Sequence, residues 1–278
     1  MAPSVLLYTI LFTLDDLPVH KNQYIQMYLM WISCVIKTKS LNANDCCALI
    51  TDKYTLSHLL HNTILQTLLY KLPCQFHYII NKAPKTLMEG CMWKYTTLTE
   101  ERIKQLAKDI VFYSDIDVLL YSSLKQITDD MKPNSIIVHE ENSFDLTYFS
   151  EGIPDNEKKE IIKHFPHVKG LSAGKFVIYG NSIIFNLFAK IQEYATTKTD
   201  YYTLEQPLFN RAVFNNIIQD KNINLSFNLN TKCEHFKDNL NMSHHNSNII
   251  LFDCSGRPGD YAEHMERLLG TFCWFYTT

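Results

Sequence analysis

An α/β protein, with a mostly parallel central sheet flanked by helices, is the fold class predicted by this chain of 278 residues, and three observations predict it. Short apolar runs alternate with longer stretches in which apolar residues recur at helical spacing, as parallel strands joined by crossover helices require. Hydrophobic residues make up 46% and charged residues 20% of the chain, a balance that builds a core and lies far from the signature of disorder. The formal net charge of -3 leaves no overall positive field to hold a phosphate backbone, so nucleic acid is not an expected partner.

The elements follow in order. Residues 5–13 read as the first, buried strand. That run is about half the length of a membrane span, and it lacks a basic leader and a small-residue cleavage site. Neither a membrane span nor a secretory signal is expected, and the chain is expected in the cytoplasm. Residues 22–37 set Tyr24, Ile25, Tyr28, Leu29, Ile32, Val35 and Ile36 on one face of a helix, and residues 46–51 form the second strand. The recurrence of Leu56, Leu59, Leu60, Ile64, Leu65 and Leu68 predicts a helix over 55–69, and Pro73 breaks the chain before a strand at 75–80. A helix over 99–108, with Glu100 and Glu101 in its first turn, leads into a buried strand at 110–113.

Past this point a strand is expected at 135–139, and then a polar stretch at 140–170 with a charged helix near 156–164. The polar stretch is expected to be a lid or acceptor insert within a single domain spanning 1–278. A strand at 175–179, a turn at Gly180-Asn181, helices at 182–194 and 203–214 and a last strand at 249–253 complete the reading. The 8 cysteines include no CxxC pair and are read as reduced, mostly core residues.

The chemistry concentrates where the strand at 110–113 ends, in Asp115-Ile116-Asp117. In an extended strand these two carboxylates share a face and can reach one hard cation. A divalent ion held there would neutralise a diphosphate leaving group. The carboxyl ends of parallel strands are also where open α/β sheets bind ligands. The competing reading has one Asp capping a turn and the other in solvent.

Taken in sequence order, the motifs resemble the GT-A fold nucleotide-sugar glycosyltransferases, glycosyltransferase family 8 in particular, over most of the chain. The resemblance implies that Asp115 and Asp117 are a DxD motif that binds manganese (or magnesium) and the sugar-nucleotide diphosphate. Met92-Trp93-Lys94-Tyr95 is similar to the segment whose basic residue, here Lys94, helps to hold the nucleotide sugar. Gly170 to Ile178 resembles the "NAG" segment and following strand, with Ser172 for the Asn, then Ala173 and Gly174. Thr203 to Asn210 resembles the "DQxxLN" helix start with Glu205 for the Asp, which implies that Glu205 and Gln206 lie beside the reacting carbon.

Ile249 to Gly256 is similar to the "HFxG" strand and turn, with Asp253 at the place of the third metal ligand, a hard oxygen donor that suits manganese or magnesium. Gly256 and Gly259 would let the backbone approach the diphosphate, and Arg257 would supply a basic group. Tyr8 and Thr9 are the nearest matches to the residues that hold base and ribose. His235, His244 and His245 lack zinc spacing and read as a surface loop.

The activity this implies is metal-dependent transfer, with retention, of a hexosyl-type sugar from a nucleoside diphosphate sugar, UDP-linked, to a hydroxyl of a glycan, protein or small molecule. Acceptor contacts are expected from the insert at 140–170 and the aromatic end at 272–276. One alternative is a nucleotide-sugar binding protein without turnover, because Ser172, Glu205 and Asp253 depart from the pattern. Another is a DxD phosphohydrolase of the haloacid dehalogenase type, in which the first Asp is the nucleophile. Against it, Val118-Leu119 follow the second Asp and the motif lies past residue 100.

Overall fold

The computed structural model of the chain describes residues 3–14, 23–106, 108–197, 205–235, 249–254 and 265–266. Strand β1 (Val5–Leu11) is apolar almost throughout and buried along its whole length, as a strand covered on both faces must be. Helix α1 (Gln23–Lys37) covers one face with Tyr28, Trp31 and Ile32, and β2 (Cys46–Asp52) follows. The helix expected over 55–69 is two helices, α2 (Lys53–Leu60) and α3 (Thr63–Tyr70). Asn62 explains the break, because its side chain accepts a hydrogen bond from Leu65 N and starts a new helix.

Next come β3 (Gln75–Asn81), α4 (Leu87–Thr96), α5 (Glu100–Leu106), β4 (Ile110–Ser114) and β5 (Val118–Leu120). The short α6 (Lys125–Thr128) precedes β6 (Ser135–Ser143), α7 (Thr147–Ser150), α8 (Asp155–His164) and β7 (Lys169–Tyr179). Helices α9 (Asn181–Thr197) and α10 (Gln206–Gln219), strand β8 (Asn224–Ser226), a 3-10 turn at Asn228–Thr231, β9 (Cys233–His235) and β10 (Leu251–Asp253) close the order. Among the described residues no helix is long and apolar enough to cross a membrane.

The central sheet has 7 strands in the order β3-β2-β1-β4-β7-β6-β8. Strands β3, β2, β1 and β4 are parallel, β7 is antiparallel to both of its neighbours, and β8 is parallel to β6. A smaller sheet of 3 strands runs β5-β10-β9. The expected mostly parallel α/β architecture is therefore present. Strand order reverses at β1, which has β2 on one side and β4 on the other, and such a reversal opens a crevice at the carboxyl ends of the strands. Antiparallel β7 brings its middle residues to that same end, because Ser114 pairs with Lys175 and Asp115 N donates to Gly174 O at 2.7 Å.

The stretch at 140–170 is not a loose polar cover. It holds the end of β6, both α7 and α8, and the start of β7, and Phe144, Phe149, Ile153 and Ile161 from it are buried in the core. Four apolar side chains among polar neighbours supply an inner face that composition alone hides. The described cysteines are free thiols and most are buried, as expected.

Strand β4 ends at Ser114, so residues 169–173 of β7 have no strand on that side. Asn210 of α10 fills the gap: its Oδ1 accepts from Leu171 N at 2.7 Å and its Nδ2 donates to Leu171 O at 2.9 Å, all buried. Asn210→Ala would orphan both backbone groups, at about 1–3 kcal/mol each. A loss of about 2–6 kcal/mol is expected, read as a lower urea midpoint at unchanged slope.

Candidate active site

The DxD segment is a turn rather than an extended strand. Val118 N donates to Asp115 O at 3.1 Å, closing a four-residue turn, and Ile116 points into the core. The reason is topological: Asp115-Ile116-Asp117 is the step from β4 in the large sheet to β5 in the small one. Cys254 N, just past β10, donates to Asp117 O at 2.9 Å and anchors the far side of the turn.

On one side of the turn lies Lys94, which α4 buries to 2% side-chain exposure. Its Nζ donates to Glu205 Oε1 at 2.6 Å and Ala173 O at 3.3 Å, and lies 3.4 Å from Asp115 Oδ1 and 4.7 Å from the Tyr113 ring centre. Burial works against the ammonium, but the charges of Asp115 and Glu205 outweigh it and hold Lys94 protonated well above its ordinary range. Burial pushes the Asp115 carboxyl up, opposed by Lys94 and by the Tyr113 hydroxyl, which donates to Asp115 Oδ1. Glu205 occupies the N-cap of α10 yet makes no capping bond, since its carboxylate is turned to Lys94.

Gln206 Oε1 accepts from Ala173 N at 3.4 Å, which fixes the orientation of the amide. Its Nε2 is then buried with no hydrogen-bond partner among the described residues. Gly174 lies over the remaining oxygen of Asp115, where a Cβ would come within 2.7 Å of Oδ2.

A second lysine lies on the other side. Lys175 is fully buried, donates to Asp253 Oδ2 and lies 3.4 Å from Ser172 Oγ. Burial disfavours its charge, but Asp253 more than compensates and raises it above the ordinary lysine range. Asp253 pairs with Val118 across the small sheet and with His235 of β9, whose Nε2 is 3.7 Å from Asp253 Oδ2. Burial, then the charges of Asp115 and Asp253, push the Asp117 carboxyl well up, and Lys175 opposes them. His139 of β6 stacks edge-on against His235 with ring centres 6.4 Å apart, and burial pushes it down to about 4.

The structure thus brings Lys94, Asp115, Ala173, Gly174, Glu205 and Gln206 into one cluster, with Asp117, Ser172 and Asp253 adjoining it. Tyr8 and Thr9 are fully buried in the middle of β1, where Tyr8 joins the cluster from the core by donating its OH to Lys94 O at 2.8 Å. They stop short of the ligand-facing end because β1 continues to Leu11 before it reaches the carboxyl edge of the sheet. Gly256, Arg257 and Gly259 lie outside the described residues, as do His244, His245 and the aromatic end at 272–276.

His235 is no loop feature; it ends a strand beside Asp253. Sequence reasoning also passed over Tyr113, Lys175 and His139. Only Lys175 carried a signal, a charge at the head of an apolar run. Among the described residues no three His, Cys, Asp or Glu side chains are gathered where they could hold one metal ion together.

No family model matches the chain, and no curated protein matches it. Among solved structures it is similar to the apo structure of WbbM, a bifunctional glycosyltransferase, with a TM-score of 0.59 at 13% identity over 95% of this chain and 49% of that one. The chain spans about half the length of that protein. The likeness shows a fold shared with a glycosyltransferase.

Two substitutions probe the frame. A Cβ at Gly170 would lie 2.0 Å from the buried Phe149 ring, and one at Gly174 would meet only a carboxylate end. Gly174→Ala is expected to cost about 1–3 kcal/mol and Gly170→Ala more, in urea melts. For His139, the unfolded chain takes up a proton near 6.5 whereas the folded chain resists until about 4. Stability is therefore whole above that window and falls as pH drops through it, by at most about 1.4 kcal/mol per pH unit. Urea midpoints at stepped pH are expected to show this component in the native chain and to lack it in His139→Phe.

Proposed function

We propose that the chain transfers a sugar from a nucleoside diphosphate sugar, UDP-linked, to a hydroxyl acceptor, with retention, as a cytoplasmic enzyme. One observation carries the reading: the Lys94 ammonium ties the DxD carboxylate Asp115 to Glu205 at the start of α10, so the diphosphate-side and sugar-side motifs form a single cluster. The unpartnered Gln206 Nε2 within it supports a bound ligand, because a buried amide left unpaired is costly until something accepts from it.

The residues present fit a divalent cation, Mn2+ or Mg2+, at Asp115 and Asp117. Both are hard oxygen donors, the Asp117 carboxylate accepts no hydrogen bond from the other described side chains, and the bare Gly174 leaves Asp115 Oδ2 uncovered. When bound, such an ion neutralises the charge on the diphosphate leaving group. The chain's own residues do the rest. Lys94 orients Glu205 and Asp115 and balances their charge; held firmly protonated, it serves as a fixed cation and not as a proton donor. Gln206 Nε2 donates to a donor-sugar oxygen, and Glu205 faces the reacting carbon. Gly174 gives the donor its close approach to the backbone.

The test is a thermal-shift panel of UDP, UDP-glucose, UDP-galactose, UDP-N-acetylglucosamine, UDP-xylose and GDP-mannose, each with and without Mn2+. A UDP compound at a hundred times its Kd adds about 2.7 kcal/mol, a rise of about 5 °C, and Asp117→Ala is expected to abolish it. Transfer or hydrolysis of the sugar from the compound that shifts separates an enzyme from a binding protein. Phosphate released from a generic phosphate ester would favour the phosphohydrolase instead. A panel in which no nucleotide moves the melting temperature would overturn the donor reading.

A further inference from the structure

Asp253 stands beside the DxD turn, paired with Val118, yet its carboxylate is already engaged. Lys175 holds Asp253 Oδ2 with both side chains out of solvent, at 0% and 6% exposure. So enclosed an ammonium cannot touch a substrate. A divalent ion on the same oxygen would sit against this positive charge in surroundings that screen it poorly, which makes the two cations mutually exclusive there. Asp115 and Asp117 remain: the Lys94 ammonium near Asp115 Oδ1 is balanced by Glu205 at 2.6 Å, and the bare Gly174 lies against Asp115 Oδ2. Two carboxylates completed by water and substrate phosphate oxygens are a donor set that magnesium-type ions use.

Two of the three departures from the glycosyltransferase pattern meet at this one ammonium. Ser172, in place of Asn, has its hydroxyl 3.4 Å from Lys175 Nζ, and Asp253, in place of His, is its ion-pair partner. The three residues form one buried unit, in which each change makes sense of the others.

We propose, resting on the donor reading above, that Lys175 is a positioning residue that keeps Asp253 out of the metal shell. Asp115 and Asp117 then bind a divalent ion only together with the diphosphate oxygens of the nucleotide, and the chain alone does not retain one.

The experiment follows free Mn2+ by its electron paramagnetic resonance signal during titration of the full chain, with and without UDP. The wild type is expected to bind Mn2+ at least about tenfold more tightly when UDP is present. Lys175→Met releases Asp253 beside Asp117 and His235, and is expected to gain at least about tenfold in Mn2+ affinity without nucleotide. Lys175→Met combined with Asp253→Asn should lose that gain. A structural lysine would give lower stability and no gain in affinity.

Should Lys175→Met not fold, the double variant, which removes both charges of the buried pair and strands neither, decides the matter. Mn2+ affinity in the presence of UDP is expected to stay within a factor of about three, whereas a drop of about tenfold would make Asp253 a ligand and overturn the proposal. Where UDP binds, equal Mn2+ affinity of the wild type with and without it would overturn the proposal too, as would no gain in Lys175→Met. If UDP binds the wild type under no condition, the donor reading fails; a gain in Lys175→Met that the double variant loses would still uphold the role of Lys175.

Discussion

The buried Lys94 ammonium is the constraint on which the rest of the site depends. Moving such a charge out of water costs several kcal/mol, and only close, well-oriented acceptors offset it. Four elements are bound by that requirement: α4 carries the lysine, β4 presents Asp115, β7 turns the Ala173 carbonyl inward, and α10 begins with Glu205. The central strand joins in through Tyr8, whose hydroxyl is spent on the carbonyl of Lys94 itself. No one of these groups can be displaced without leaving another unpaired in the interior.

The antiparallel strand β7 makes this convergence possible. A parallel strand beside β4 would bring its own end to the crevice; β7 instead passes its middle residues across it. Gly174 thereby meets Asp115, Ala173 meets Lys94 and Gln206, and Lys175 turns to the small sheet and Asp253. The DxD turn lies between two lysines with different partners, Lys94 joining Asp115 to Glu205 and Lys175 holding Asp253. Past the reach of β4, Asn210 replaces the missing strand and ties α10 to β7, near the point where Glu205 meets Lys94 and Gln206 meets Ala173.

The strands of the large sheet other than β8, and most helices, were legible in the sequence because their signal is local, whereas the short β5, β8 and β9 were not expected. Apolar runs bounded by Pro, Gly or a polar cap mark β1, β2 and β4, and the recurrence of Tyr28, Ile32 and Val35 marks α1. Where the reading slipped, a nonlocal or single-residue effect took over. One capping Asn divided the helix expected at 55–69, and a step between two sheets bent Asp115-Ile116-Asp117 away from the extended form. A few inward residues of a polar stretch, Phe144 and Phe149 among them, placed it in the core.

The sequence by itself determined the class of fold and the order of the motifs, since burial and periodicity act on near neighbours along the chain; the resemblance singled out Lys94, Asp115, Glu205 and Gln206 but passed over Tyr113 and Lys175. The tertiary structure alone decided their partners. That Lys94 pairs with Glu205, that Lys175 takes Asp253, that His235 lies beside it and that Tyr8 and Thr9 stop short of the crevice all depend on strand order and register between segments far apart in sequence. Such pairings are set by the cost of leaving a charge alone in the interior, and that cost arises only once the chain has closed around it.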